Sequence, residues 1–94
     1  MDWKEAYKSK LCTAGEAVKN IRSGDTVLMG HCVGEPAALT DAMVANAAQY
    51  ENIEIRHMVS LGKGGYAAPE MEKHFRVNPM FASANVRTAL AEGR

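Results

Sequence analysis

Glu35, His31, Cys32, His57 and Tyr66 are the side chains of this chain with the most chemistry to offer, and a glycine stands within two residues of each of them except His57. The densest cluster is Gly30-His31-Cys32-Val33-Gly34-Glu35-Pro36. Glu35 is its only carboxylate, and a carboxylate can attack a thioester as a nucleophile. Placed just before Pro36, however, it fits better as a charge that caps or orients the following helix, whose positive end blunts its nucleophilicity. Gly30 and Gly34 allow close backbone approach where helix amides could receive an anion or a developing oxyanion, and they equally suit a plain tight turn. His31 and Cys32 are a base and a thiol, but sequence neighbours rarely point into one pocket, so Cys32 reads as a small buried apolar group. Cys12, Cys32, His31 and His57 lack the paired spacing of a metal site, and none is expected.

Gly62-Lys63-Gly64-Gly65-Tyr66-Ala67 superficially fits a dinucleotide fingerprint. That fingerprint needs a full helix starting within the glycines and an acid about twenty residues on. Here Pro69 interrupts, and Ala82, Ser83 and Ala84 stand where the acid should be. A mobile substrate loop is the better reading, with Tyr66 as a rigid contact surface. His57 reads as a satisfied core histidine and Arg56 as its solvent-facing neighbour. Met43, Met58 and Met80 read as core fillers, and Asn85 as the cap of a last helix.

These residues need a scaffold, and the pattern supplies one. Trp3, Ala6, Tyr7 and Lys10 recur at helical spacing, and Thr13 followed by Glu16 forms a capping box for a second helix running to about Ile21. Ser23-Gly24-Asp25 is a turn. Thr26 to Gly30 is an apolar run with β-branched character, expected to be a buried strand covered on both faces. A helix from Pro36 to about Tyr50 buries Leu39, Met43 and Ala47. Ile53 to Ser60 alternates as a second strand, parallel to the first and beside it through a right-handed crossover. Pro69 opens a short helix through His74, Phe75 to Phe81 forms a third strand broken by Pro79, and Asn85 to Glu92 forms the last helix. The fold class is therefore α/β: a partial doubly wound parallel sheet with helices on both faces, led by an N-terminal helical pair. The cluster at Gly30–Pro36 then lies at the carboxyl end of the first strand, the ligand side of such sheets.

Composition limits the function. Eleven acidic residues balance eleven basic ones in 94 residues, so no field draws in nucleic acid or an anionic membrane surface. The most apolar window, 36–50, is broken by Asp41, Asn46 and Gln49 and cannot span a bilayer. The start Met1-Asp2-Trp3-Lys4-Glu5 shows no export signal, and the two cysteines read as free thiols in a reducing compartment, which places the protein in the cytoplasm.

Together these residues resemble the N-terminal part of acyl-CoA:carboxylate CoA-transferases of the 4-hydroxybutyrate CoA-transferase and acetyl-CoA hydrolase type. The resemblance runs the whole length, through Ser23-Gly24-Asp25, Gly30-His31, Gly34-Glu35-Pro36, His57-Met58, Tyr66, Pro69-Glu70, His74-Phe75-Arg76, Asn78, Phe81, Asn85, Arg87 and Glu92-Gly93-Arg94. It implies that residues 1–94 are the N-terminal part of a first α/β lobe, truncated, with the second lobe absent. The nucleophilic glutamate is then expected beyond Arg94, so no catalytic residue lies in this chain. The resemblance further implies that Gly30, His31, Gly34, Glu35, Pro36, His57, Tyr66 and Asn85 face the substrate. It implies coenzyme A as substrate with no tightly bound cofactor, acyl-CoA and a short-chain carboxylate as partners, and a homo-oligomer or pairing through the open sheet edge. One departure is Ser83-Ala84 before Asn85-Val86-Arg87, where the family tends to carry glycine; it implies a narrowed site. The alternatives are an acetyl-CoA hydrolase, or a non-catalytic α/β module that binds a small molecule or a protein partner.

Overall fold

The first helix begins where Asp2 can cap it. In the computed structural model, which describes residues 2–94, α1 spans Trp3–Lys10 and Asp2 Oδ1 accepts a hydrogen bond from the Lys4 amide at 2.9 Å. Lys8 and Lys10 fall in its last turn, where positive charge complements the helix dipole. Its apolar stripe has the expected spacing, yet no residue of α1 is buried and both Trp3 and Tyr7 are exposed. Helix α2, Ala14–Ala17, is capped by Thr13, whose Oγ1 accepts from the Glu16 amide at 3.2 Å. It continues as a 3-10 turn over Val18–Asn20.

Three short strands follow: β1 (Thr26–Leu28), β2 (Ile53–Arg56) and β3 (Phe75–Val77). They lie in the order β1-β2-β3, all parallel, with Val27 beside Ile55 and Ile55 beside Val77. Helix α3, Ala37–Ala45, joins β1 to β2, and α4 spans Arg87–Ala91. The α/β class, the parallel order and the β1–β2 adjacency are those the sequence predicts. The regular strands are shorter than expected, but their pairing continues: Met29 N donates to Arg56 O, Cys32 N to Val59 O, Met80 N to His57 O, and Phe81 N to Met58 O. This extended ladder carries the loops after each strand to one edge of the sheet.

One face of the sheet holds the core. Ile53, Ile55, Phe75 and Val77 are buried against Met43, Ala47, Tyr50, Tyr66, Val86 and Ala89. On the other face Thr26, Arg56 and Arg76 are exposed, and Leu28 is 73% exposed. The apolar run at β1 is thus not a buried strand within these residues: Val27 turns toward the core, while Leu28 points to the face that these helices leave open. Other expectations change for the same geometric reason. Thr40 takes the inward position on α3 and leaves Leu39 exposed, and Met58 and Met80 lie outside the core. The segment after Pro69 forms only a 3-10 turn, Pro69–Met71. Among the described residues, no helix is long and apolar enough to cross a membrane.

Candidate functional site

After β1 the chain reverses through a 3-10 turn at Cys32–Gly34. The Gly34 amide donates to His31 O at 2.9 Å and the Glu35 amide to Cys32 O at 3.1 Å. A Cβ at Gly30 would lie 2.3 Å from Gly34 O, so this loop closes only over a glycine. A Cβ at Gly34 would meet nothing within 4 Å. The turn delivers Glu35 toward the sheet edge. Its carboxylate does not cap α3, which has no side-chain cap; Oε1 instead accepts from Ser60 Oγ at 2.8 Å.

Ser60 is the junction of a buried polar network. A serine hydroxyl has one proton and two acceptor lone pairs. The proton goes to Glu35, while Asn85 Nδ2 donates to Ser60 Oγ at 2.8 Å and Tyr66 Oη donates to it at 3.3 Å. Since Tyr66 has given its only proton to Ser60, its 3.2 Å contact with His57 Nε2 is a bond in which the imidazole donates. Counting donors therefore assigns the hydrogen to Nε2, and Nδ1, buried, has no hydrogen-bond partner among the described residues. Asn85 also donates to Gly62 O at 3.1 Å, and its Oδ1 accepts from Ser83 Oγ at 2.7 Å. It does not cap α4, which starts from Val86 without a side-chain cap.

Two glycines bring their loop against this network. A Cβ at Gly62 would lie 2.5 Å from Glu35 Oε2. Gly64 has a φ of +65°, and a Cβ there would come within 2.9 Å of Asn85 Cβ.

Burial lowers the pKa of His57 below its ordinary value of 6.5; the charge of Glu35 and the backbone at Met58 oppose that shift less strongly. Burial also raises the Tyr66 phenol, with the Ser60 hydrogen bond opposing and the Glu35 charge adding. Both groups are therefore neutral near pH 7, as the donor count requires. The sign for stability follows from linkage. Between the lowered folded value and 6.5 the unfolded chain binds more protons at His57, so stability rises with pH across that window and is lost as pH falls through it. The melting temperature should fall on acidification below pH 6.5, and His57→Gln should flatten that fall. An unchanged slope in the variant would assign the acid sensitivity to other groups.

Of the residues singled out in the sequence, Glu35, His57, Tyr66 and Asn85 come together through Ser60. Tyr66 is 1% exposed, so it braces the site from within and is not a contact surface on a loop. His31 is exposed and outside the network, and its Nε2 lies 3.2 Å from Cys32 Sγ, so these two neighbours do meet. Cys32 is half-buried, at a φ of 50°, and is no core filler. The Gly34-Glu35-Pro36 turn itself has no free amide for an oxyanion, since those of Gly34 and Glu35 are bonded within the loop and proline has none. Pro36 is the N-cap of α3, whose first-turn amides are the unpaired ones nearby. An apolar cavity of about 240 Å³ lies between α2, β1 and α3, lined by Val18, Val27, Met29, Leu39, Thr40 and Met43. No charged side chain lines it, and its one hydroxyl, that of Thr40, donates to Pro36 O at 3.1 Å, so the polar network is the better candidate for chemistry. Among the described residues no cluster of His, Cys, Asp or Glu is placed to hold a metal ion.

Sequence reasoning missed Ser60, and it read Gly62 as the start of a substrate loop and Ser83 as a departure that narrows the site, without placing either against Glu35 or Asn85. Strand alternation puts Val59 inward, but the chain leaves β2 after Arg56 and Ser60 becomes the buried residue. A serine at a strand end beside a glycine-rich loop was the available signal.

The acetyl-CoA hydrolase/transferase N-terminal domain matches residues 1–94. The chain is 45% identical over 94 residues to a 4-hydroxybutyrate coenzyme A transferase of Clostridium kluyveri, covering 100% of this chain and 22% of that protein. It is 50% identical over 56 residues to a butyryl-CoA:acetate CoA-transferase of Anaerostipes caccae, covering 60% of this chain and 13% of that protein. Among solved structures, RipA from Yersinia pestis superposes with a TM-score of 0.87 at 28% identity, over 99% of this chain and 22% of that one. The chain thus spans a minor part of the length of each relative.

Proposed function

The chain belongs to the acetyl-CoA hydrolase/transferase N-terminal domain family, and from that premise we propose that it is the N-terminal part of the first lobe of a CoA-transferase. The reaction moves CoA between an acyl-CoA, such as acetyl-, butyryl- or 4-hydroxybutyryl-CoA, and a short-chain carboxylate. The nucleophile is a glutamate of a second lobe. Its carboxylate attacks the thioester carbonyl, CoA thiolate leaves, and an acyl-glutamyl anhydride forms. The thiolate then attacks the glutamyl carbonyl, releasing the acyl group as a carboxylate and leaving a glutamyl-CoA thioester for the acceptor. CoA enters and leaves as substrate, no tightly bound cofactor takes part, and the protein works in the cytoplasm.

In this reading residues 30–36 and 57–85 form one wall of the acyl site. The observation that carries it is the Ser60–Glu35 bond, which fixes a carboxylate at the ligand side of a parallel sheet. Unpaired amides at the start of α3, not those of Gly34 and Glu35, are the donors this segment can offer an oxyanion. The test is an assay of the full-length protein containing this segment, with butyryl-CoA and acetate. Transfer should exceed hydrolysis, and residues 1–94 alone should transfer nothing. Hydrolysis without transfer would make the protein a hydrolase. Transfer by residues 1–94 alone, abolished by Glu35→Gln, would make Glu35 the nucleophile.

A further inference from the structure

We propose that Ser60 is a positioning residue: it holds Glu35 so that Oε1 is tied into the protein and Oε2 is left for the ligand. The inference rests on the functional reading above and adds a residue and a direction to it. The polarity that makes every one of these contacts a hydrogen bond runs His57 Nε2–H to Tyr66 Oη–H to Ser60 Oγ–H to Glu35 Oε1. The Glu35 carboxylate can only accept and the Asn85 Nδ2 amide can only donate, so the proton of Ser60 at 2.8 Å from each belongs to the bond with Glu35. The hydroxyl is thus locked by its neighbours toward the carboxylate. It is also 2% exposed, so water cannot readily replace it. Oε2 makes no hydrogen bond among the described residues and lies where a Cβ at Gly62 would sit 2.5 Å away. His57 at 0% exposure and Tyr66 at 1% cannot reach a ligand themselves, and they act through Ser60.

A residue that works only through Glu35 has no effect once Glu35 is disabled. In the full-length enzyme, Ser60→Ala should lower kcat about tenfold, the loss that one hydrogen bond to a charged group implies, with KM for the acyl-CoA little changed. Ser60→Thr, which keeps the hydroxyl, should recover most of that loss. In the Glu35→Gln background, Ser60→Ala should cost nothing further. If Ser60→Ala does not fold, Ser60→Cys keeps the shape with a weak donor and should show the same tenfold loss. Independent, multiplying losses from the two substitutions, or full activity in Ser60→Ala and Ser60→Cys, would overturn the inference while leaving the functional reading standing. Full activity in Glu35→Gln would also overturn the inference and take this carboxylate out of the acyl site, while leaving the second-lobe nucleophile of the functional reading untouched.

Discussion

Gly62→Ala is expected to lower turnover of the full-length enzyme about 100-fold, the scale of loss when a reacting geometry is displaced by about an ångström. The added Cβ would lie 2.5 Å from Glu35 Oε2 and 3.1 Å from its Cδ, well inside van der Waals contact. Gly62 has no positive φ, so its backbone accepts alanine. The clash is with the end of a flexible side chain, and Glu35 can rotate away without unfolding anything. The fold should therefore survive, with a melting temperature close to that of the parent, while the carboxylate leaves its position and its bond to Ser60. Glu35→Gln is the chemical counterpart, since it keeps the shape and removes the charge; its loss should be at least as large. Steady-state kinetics on samples matched for folded protein separate the cases. A fall in activity that merely tracks the folded fraction would mean that Gly62 only shapes a turn.

The parallel sheet and its connections were legible because they rest on local signals. Thr13 capping Glu16, the turn at Gly24, and the alternation of Ile53 and Ile55 each act over a few residues, and the helix between β1 and β2 forces their parallel pairing. Side-chain roles were less legible wherever they depend on residues distant in sequence. Asn85 at the head of the last helix has the chemistry of a cap, and only the approach of the Ser60–Gly62 segment gives it better partners. Glu35 before Pro36 has the same ambiguity, resolved by a serine 25 residues on. Leu28 reads as core because the apolar run around it is continuous, and nothing in the run itself says which face the chain will cover. The direction of hydrogen bonding through His57, Tyr66 and Ser60 could not be read from the sequence at all, since it follows from counting protons in an assembled site.

The two glycines of the loop after β1 look interchangeable in the sequence, and the structure separates them sharply. Gly30→Ala is expected to destabilise the protein by about 1–3 kcal/mol, the usual cost of overpacking a tight contact. The new methyl would lie 2.3 Å from Gly34 O and 2.8 Å from Gly34 C. These are backbone atoms held by the 3-10 turn, so the whole loop must open to admit it. Opening the loop moves Glu35 as well, so activity should fall further than stability alone accounts for. Gly34→Ala should change stability by no more than about 0.5 kcal/mol, because a Cβ there meets nothing within 4 Å and the backbone is not left-handed. Denaturant midpoints of the two variants check this order, and equal destabilisation would refute the loop geometry. The second comparison then reaches the site. No atom of residues 2–94 would touch an added methyl at position 34, so a drop in kcat without a drop in stability could come only from the ligand or from the remainder of the enzyme. Gly34→Val enlarges the group and should deepen that drop to about 100-fold if the loop lines the acyl site. Unimpaired kcat in Gly34→Val would place this side of the loop away from the reacting carbonyl and leave Glu35 as its only contribution.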